Sequence, residues 1–170
     1  MFHGIATLGD TVVLDVLVKN SSNVPINLDA QPTFRVYDSN GLVTNQTGSG
    51  SFRDTGSITG ATNASPIVIT STAHGLVTGD RVTITGVGGN TNANTTTTIT
   101  KVDADSFSLD GVAGNASYTS GGTWNVTGLY KVSLDMTEAN GYDAGVLYSV
   151  LIEGEISSTA WASLEKIFIA

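Results

Sequence analysis

The sequence predicts an all-β protein of two domains, with a small β-barrel inserted into a loop of a two-sheet β-sandwich. Three observations carry this. Apolar and polar residues alternate over short runs, the period of a strand with one buried face. Gly-, Asn- and Ser-rich turn signals separate those runs, and the best helical candidate is only MTEAN at 136–140. Residues 58–124 read as a complete set of strands, while the segments on either side read as two halves of another. The expected domains are therefore 1–57 with 125–170, and 58–124.

The composition fits this reading. The 170 residues are 40% hydrophobic but only 13% charged, so Thr, Ser, Asn and Gly supply most of the polarity, as in a turn-rich β protein. The net charge is -8 with 7 Lys and Arg, which provides no basic patch for phosphates and disfavours nucleic acid and anionic membrane surfaces. No apolar run approaches the roughly 20 residues that span a bilayer. The start, MFHGIATLGD, lacks a basic region followed by an apolar one, so no signal peptide is expected. Without cysteine there are no disulfides, thiolate metal sites or Cys nucleophiles. Triplets such as Asn20-Ser21-Ser22 and Asn125-Val126-Thr127 are expected from composition and read as unglycosylated.

In the first segment, residues 2–7 form a short strand before the Leu8-Gly9-Asp10 turn. TVVLDVLVK, 11–19, sets Val12, Leu14, Val16 and Val18 on one face. Residues 20–32 are a loop. TFRVYD, 33–38, points Phe34 and Val36 inward. Asn40-Gly41 follows, a pair suited to the positive φ values of a two-residue type I′ hairpin, with return through 42–47. Residues 48–57 are poor in apolar side chains and read as the exit from the domain.

In the insert, strands are expected at 66–71, 81–85, 95–102 and 106–110, separated by Gly-containing turns such as His74-Gly75-Leu76 and Thr78-Gly79-Asp80. Regularly spaced short strands of this kind argue for a small barrel. The run VITSTAHGLVTGDRVTITGVGG, the Thr-rich strand, VDADSFSLDGV and YTSGGTW resemble a β-barrel module common in tailed-bacteriophage virion proteins. That module is related to the first catalytic cysteine half-domain of ubiquitin-activating enzymes. The resemblance covers roughly 58–124. It implies a barrel without chemistry of its own, and with no cysteine here it does not imply ubiquitin transfer.

In the last segment, strands are expected at 128–136, 146–154 and 160–169. Val146, Tyr148, Val150 and Ile152 share a face. Tyr148 stands where an immunoglobulin-like sandwich places a tyrosine that bonds back across the corner before its strand, here over Asn140-Gly141. Seven strands outside the insert, which lies between the fourth and fifth, fit an immunoglobulin-like sandwich. The Cys…Trp…Cys signature of antibody domains is absent. Trp161 and Phe168 are expected in the core. Tyr142, in a turn, is expected to make contacts, and Phe2 suits either role. MFHG…LGDTV and VTGLYKVSLDMTEANGYDAGVLYSVLIEG more loosely resemble immunoglobulin-like virion accessory proteins of tailed phages.

No catalytic, cofactor or metal site is expected, and no cofactor. His74 stands beside a Gly with His3 far off, which suits a turn histidine bonded to backbone better than a base or ligand. Asp103, Asp105 and Asp110 lack the Gly and Glu of an EF-hand loop and read as solvated turn carboxylates. GGNTNANTTTT, 88–98, reads either as a mobile hairpin tip or as a polar loop that orders against a neighbour. Taken with the resemblances, these features lead to the expectation of a phage virion structural protein. A capsid decoration protein would sit on the capsid surface, be made in the bacterial host cytoplasm, and bind the major capsid protein or other virion proteins. A homo-oligomer is expected, a trimer if it occupies capsid three-fold positions. The alternatives are a tail or head-to-tail connector component and a carbohydrate-binding module using Tyr37, Tyr118, Tyr142 or Trp124.

Overall fold

A computed structural model describes residues 2–170, with the side chains of Phe2, His3 and Thr44 outside the described set. In chain order the strands are β1 (Phe2–Ala6), β2 (Thr11–Leu17), β3 (Thr33–Asp38), β4 (Gly41–Ser49) and β5 (Ser51–Phe52), then β6 (Thr55–Ser57), β7 (Gly60–Ala61), β8 (Val68–Thr70) and β9 (Arg81–Thr85), then β10 (Thr96–Lys101), β11 (Ser106–Leu109) and β12 (Thr123–Val126), and finally β13 (Leu129–Asp135), β14 (Leu147–Ile156) and β15 (Thr159–Ile169). Single 3₁₀ turns lie at Thr91–Ala93 and Glu138–Asn140, the second at the site of the helical candidate.

The chain divides into two compact units, 1–52 with 128–170 and 53–127. The boundaries fall outside those expected at 57/58 and 124/125 for one reason. β6 and β12 pair with each other, Trp124 opposite Gly56, and both belong to the barrel.

The first unit is an immunoglobulin-like sandwich. One sheet has the order β1-β15-β14-β3-β4 and the other β2-β13-β5. In immunoglobulin lettering these are G, F, C and C′ with a short first strand parallel to G, facing B, E and D. The insert therefore interrupts the chain between D and E. The two-residue β5 was hidden in the segment read as an exit, and it shifts the insertion from after the fourth strand to after the fifth. Leu14, Val16 and Val18 from β2 and its continuation, Phe34 and Val36 from β3, and Val132 and Leu134 from β13 meet Val150, Ile152, Ile167 and Ile169 in the core. Each such side chain contributes about 1.5–3 kcal/mol when fully buried. Phe168 is half-buried on the outer face, because the register of β15 turns Ile167 and Ile169 inward.

Three tyrosines lie almost wholly inside this core, and each hydroxyl has a partner. Tyr148 Oη accepts from Asp143 N at 2.8 Å, closing the corner before its strand. Tyr130 Oη accepts from Leu28 N at 2.8 Å, and its ring stacks on Phe52. Tyr142 Oη donates to Gln46 Oε1 at 2.9 Å. Tyr142 is thus a core residue, not the surface contact expected from its place in a turn. Its ring meets Tyr148 edge-on with centroids 4.8 Å apart. Burial pushes all three phenols above the ordinary tyrosine range.

The second unit is a small barrel. β12, β9 and β10 pair in turn, and so do β10, β11, β8 and β7. β10 serves both rows, pairing with β9 through 96–98 and with β11 through 99–101. The segment 55–61 serves both again at the opposite corner: β6 pairs with β12 and β7 with β8. Between them, Ile58 N donates to Gly122 O and Thr59 N to Thr70 O, each at 2.9 Å, so the segment closes the barrel. Ile67, Ile69, Val82, Ile84, Ile99, Phe107, Leu109 and Trp124 fill it. Gly56 makes room for Trp124, whose ring lies 2.8 Å from where a Cβ at 56 would stand.

The two hairpin turns of the sandwich invert the sequence expectation. At 38–41 the paired residues are Asp38 and Gly41, so the turn is Ser39-Asn40 and Asn40 is not at positive φ. Asp38 Oδ1 holds it by accepting from Asn40 N at 2.7 Å and Gly41 N at 2.9 Å. The turn with two positive φ values is Ser157-Ser158, at +49° and +61°, between the paired residues Ile156 and Thr159. Serine is poorly suited to that conformation. Asp29 compensates, its two carboxylate oxygens accepting from Ser157 N at 2.9 Å and Ser158 N at 2.8 Å. The Ser158 bond, then the Ser157 bond, hold the Asp29 carboxyl below its ordinary value. A depressed pKa stabilises the fold above the unfolded value of about 3.9, and that stability is lost as pH falls through the folded value. Asp29→Ala should therefore lower the melting temperature at pH 7, and the gap to wild type should close below about pH 4. Thermal melts across that range measure both.

Candidate functional site

His74 is buried, and both ring nitrogens are engaged by main chain. Nδ1 accepts from Leu76 N at 3.0 Å, and Nε2 faces the carbonyls of Asp103 at 3.1 Å and Ser106 at 3.2 Å. These partners require a neutral ring with its proton on Nε2. The ring edge rests on Phe107, centroids 5.2 Å apart. His74 therefore clamps the turn after β8 to the hairpin between β10 and β11, and leaves no nitrogen free for proton transfer. The side chain of His3 lies outside the described residues.

The three aspartates are each turned to a local partner. Asp103 Oδ1 accepts from Asp105 N at 2.8 Å, which with the Ser106 hydroxyl holds its carboxyl below the ordinary range. Asp105 Oδ1 accepts from Ala73 N at 2.7 Å and Asp110 Oδ1 from the Thr100 hydroxyl at 2.9 Å. Among the described residues no cluster of three or more His, Asp or Glu is placed to hold a metal ion.

The 88–98 segment departs most from its sequence reading. It is neither a mobile tip nor a loop awaiting a neighbour, because its asparagines bond to its own barrel. Asn90 is fully buried: Nδ2 donates to Thr62 O at 2.8 Å and Oδ1 accepts from Asn115 N at 3.1 Å. Asn94 pairs with both main-chain groups of Val87, at 2.8 and 2.9 Å, as a neighbouring strand would. Asn92 Nδ2 reaches Ala113 O at 3.0 Å and Asn115 Nδ2 reaches Thr91 Oγ1 at 2.9 Å. The segment is latched to 113–120 across the barrel mouth, with Gly88 bridged to Ser120.

The aromatics considered for ligand contact are mostly structural. Trp124 sits inside the barrel, Nε1 donating to Ser71 Oγ at 2.8 Å. Tyr118 Oη donates toward Ile58 O and Gly121 O at 3.1 Å. Tyr37 is half-exposed on the outer face of β3. Trp161 packs partly against the sandwich core and lines one end of a shallow groove of about 420 Å³. Along that groove Arg35 and Glu153 lie 3.1 Å apart without an aligned hydrogen bond, a half-exposed pair worth at most about 1 kcal/mol.

What the strand-by-strand reading missed is an apolar outer face on the five-stranded sheet. Ile5, Leu147 and Leu164 are 71%, 46% and 48% exposed there. The signal was present in VLYSVLI, 146–152, where Leu147 and Leu151 stand in the set opposite the buried Tyr148, Val150 and Ile152. A strand with one solvated face has no need of the second set.

Residues 65–127 match the model of the ubiquitin-activating enzyme E1 FCCH domain. The match covers the barrel from before β8 to the end of β12. No curated protein matches the chain at a significant level.

The asparagine latch is directly testable. Asn90→Ala removes the fully buried side chain and its two part-buried bonds, to Thr62 O and from Asn115 N, and should cost the barrel about 1–3 kcal/mol. Asn92→Ala, at an exposed position, should cost under about 1 kcal/mol. Denaturant unfolding in a Trp161→Phe background, with Trp124 as the fluorescent reporter, measures both.

Proposed function

We propose that the protein is a structural component of a tailed-bacteriophage virion, a decoration protein that binds the capsid surface and ties neighbouring capsomers together. The observation that carries this reading is how the barrel uses its polar side chains. His74, Asp103, Asp105 and the asparagines of 90–94 all serve the fold, leaving surfaces as the means of action. The match of 65–127 to a barrel domain family supports the module assignment, and the motif's resemblance to modules of phage virion proteins supplies the setting.

The mechanism is contact area multiplied by copy number. β2 and β4 are sheet edges whose outer main-chain groups can accept a strand from the major capsid protein or another virion protein. Many weak attachments on one lattice give avidity without any strong single site. On this reading the chain is made in the host cytoplasm, has no catalytic role and needs no cofactor. A tail or head-to-tail connector position is the nearest variant. The burial of Tyr142 and Trp124 weighs against a carbohydrate-binding role, which needs exposed aromatics.

Peptide mass spectrometry of purified particles, with copy number, tests the proposal. Hundreds of copies per particle are expected, following capsid symmetry. A handful would move the protein to the tail or neck, and absence from particles would refute the virion reading.

A further inference from the structure

Asn-Gly occurs twice in the chain, at 40–41 and 140–141. Asparagine is a chemically labile residue, and a following glycine makes it more so. With no Cβ to shield it, the glycine main-chain nitrogen can close a five-membered ring on the asparagine Cγ. The fold treats the two pairs differently.

Asn140 is half-buried and tied on both sides. Its Nδ2 donates to Asp135 O at 2.9 Å, and Gly141 N donates to Glu138 O at 2.9 Å across the 3₁₀ turn. Tyr142 N, one residue on, donates to Thr137 O, and the Tyr142 ring is anchored in the core. Nucleophile and leaving group both face main-chain carbonyls, which accept a hydrogen bond but do not carry a proton from one to the other.

Asn40 and Gly41 stand exposed at the tip of the β3–β4 hairpin, and both reacting groups face one carboxylate. Asp38 Oδ1 accepts from Gly41 N at 2.9 Å, while Asp38 Oδ2 lies 3.4 Å from Asn40 Nδ2. A further bond from Asn40 N to Oδ1, at 2.7 Å, keeps the carboxylate over the turn. A single carboxyl group thus touches the atom that must lose a proton and the atom that must gain one. That is the placement of a general base that then acts as general acid.

We propose that Asn40 is a self-modification site, converted to aspartate and isoaspartate with Asp38 as its catalytic residue. Gly41 N bonds to Asn40 Cγ and passes its proton to Asp38. Asp38 delivers that proton to Nδ2, the Cγ–Nδ2 bond breaks, and ammonia leaves a succinimide ring. Water then opens the ring at either carbonyl, giving aspartate or isoaspartate. Both products add a negative charge beside Asp38 in a chain already at -8. Isoaspartate also lengthens the main chain within a two-residue turn, at the head of the edge strand β4. The inference stands on this hairpin alone and holds whether or not the protein belongs to a virion.

Peptide mapping by mass spectrometry of the full chain, stored at mildly alkaline pH, tests it. Conversion raises the mass of a peptide by about one unit, and enzymatic methylation reports isoaspartate. In the folded wild type Asn40 should convert about tenfold or more faster than Asn140. In denaturing urea the two rates should converge. Asp38→Ser keeps a side-chain oxygen suited to such a turn but removes the carboxylate, and should slow Asn40 about tenfold. Circular dichroism establishes that the variant is folded. If it is not, the wild type alone decides, since Asn40 should convert at least as fast folded as in urea. An Asn40 that stays intact or is slowed by folding, equal conversion at the two sites in the folded chain, or a folded Asp38→Ser that converts as fast as wild type would overturn the proposal.

Discussion

The sandwich depends on β13 finding β2. All seven residues of β13 register against β2, from Leu129 opposite Leu17 to Asp135 opposite Thr11, although the barrel at 53–127 lies between them in sequence. That pairing forms the second sheet and brings Tyr130 to the loop at Leu28 and to Phe52. It also carries Val132 and Leu134 under the first sheet. Closing so long a loop costs only slightly more than closing a shorter one, because the entropy rises with the logarithm of length. A folded barrel lowers the cost further, since its own strands already hold residues 55 and 126 in neighbouring rows.

The most deeply buried polar side chains of both cores find their partners within the chain itself, while Arg81 Nε and Glu153 Oε2 have no hydrogen-bond partner among the described residues. Three tyrosine hydroxyls, His74 and Asn90 are buried, and each has named partners. An unpaired buried donor or acceptor would cost about 1–3 kcal/mol, so these bonds define the fold more than they add to its stability. His74, Asp103, Asp105 and Asp110 are likewise engaged by groups of their own barrel. A histidine with both nitrogens engaged, and carboxylates turned to local donors, make a scaffold.

The sequence was legible where period and burial agree. The alternation of 11–19, 33–38 and 129–136 found strands with their faces correctly assigned, because one face of each is buried. Tyr148 was legible because the corner geometry fixes its place. β5, β6 and β7 were not, since strands of two or three residues show no period and exist only through their partners. Tyr142 and Trp124 were misplaced because local sequence says turn or boundary while tertiary packing buries them. Asn-Gly at 40–41 pointed to the wrong turn type because the Asp38 carboxylate supplied another solution, and Ser157-Ser158 adopts the strained one because Asp29 arrives from far away in sequence. The asparagine-rich 88–98 segment read on composition as a mobile tip or as a loop that orders against a neighbour. Nothing local reveals that its amides meet Thr62 and 113–115.

The central structural claim is that the chain holds two complete cores, one interrupted in sequence by the other. Native-state hydrogen exchange under increasing denaturant tests this most directly. The account predicts two cooperative opening units. Amides of β2, β13 and β14 should share one free energy across the sequence gap, and those of β8 to β12 should share another. A single opening common to all of these strands, or separate openings for the segments before and after the barrel, would contradict it.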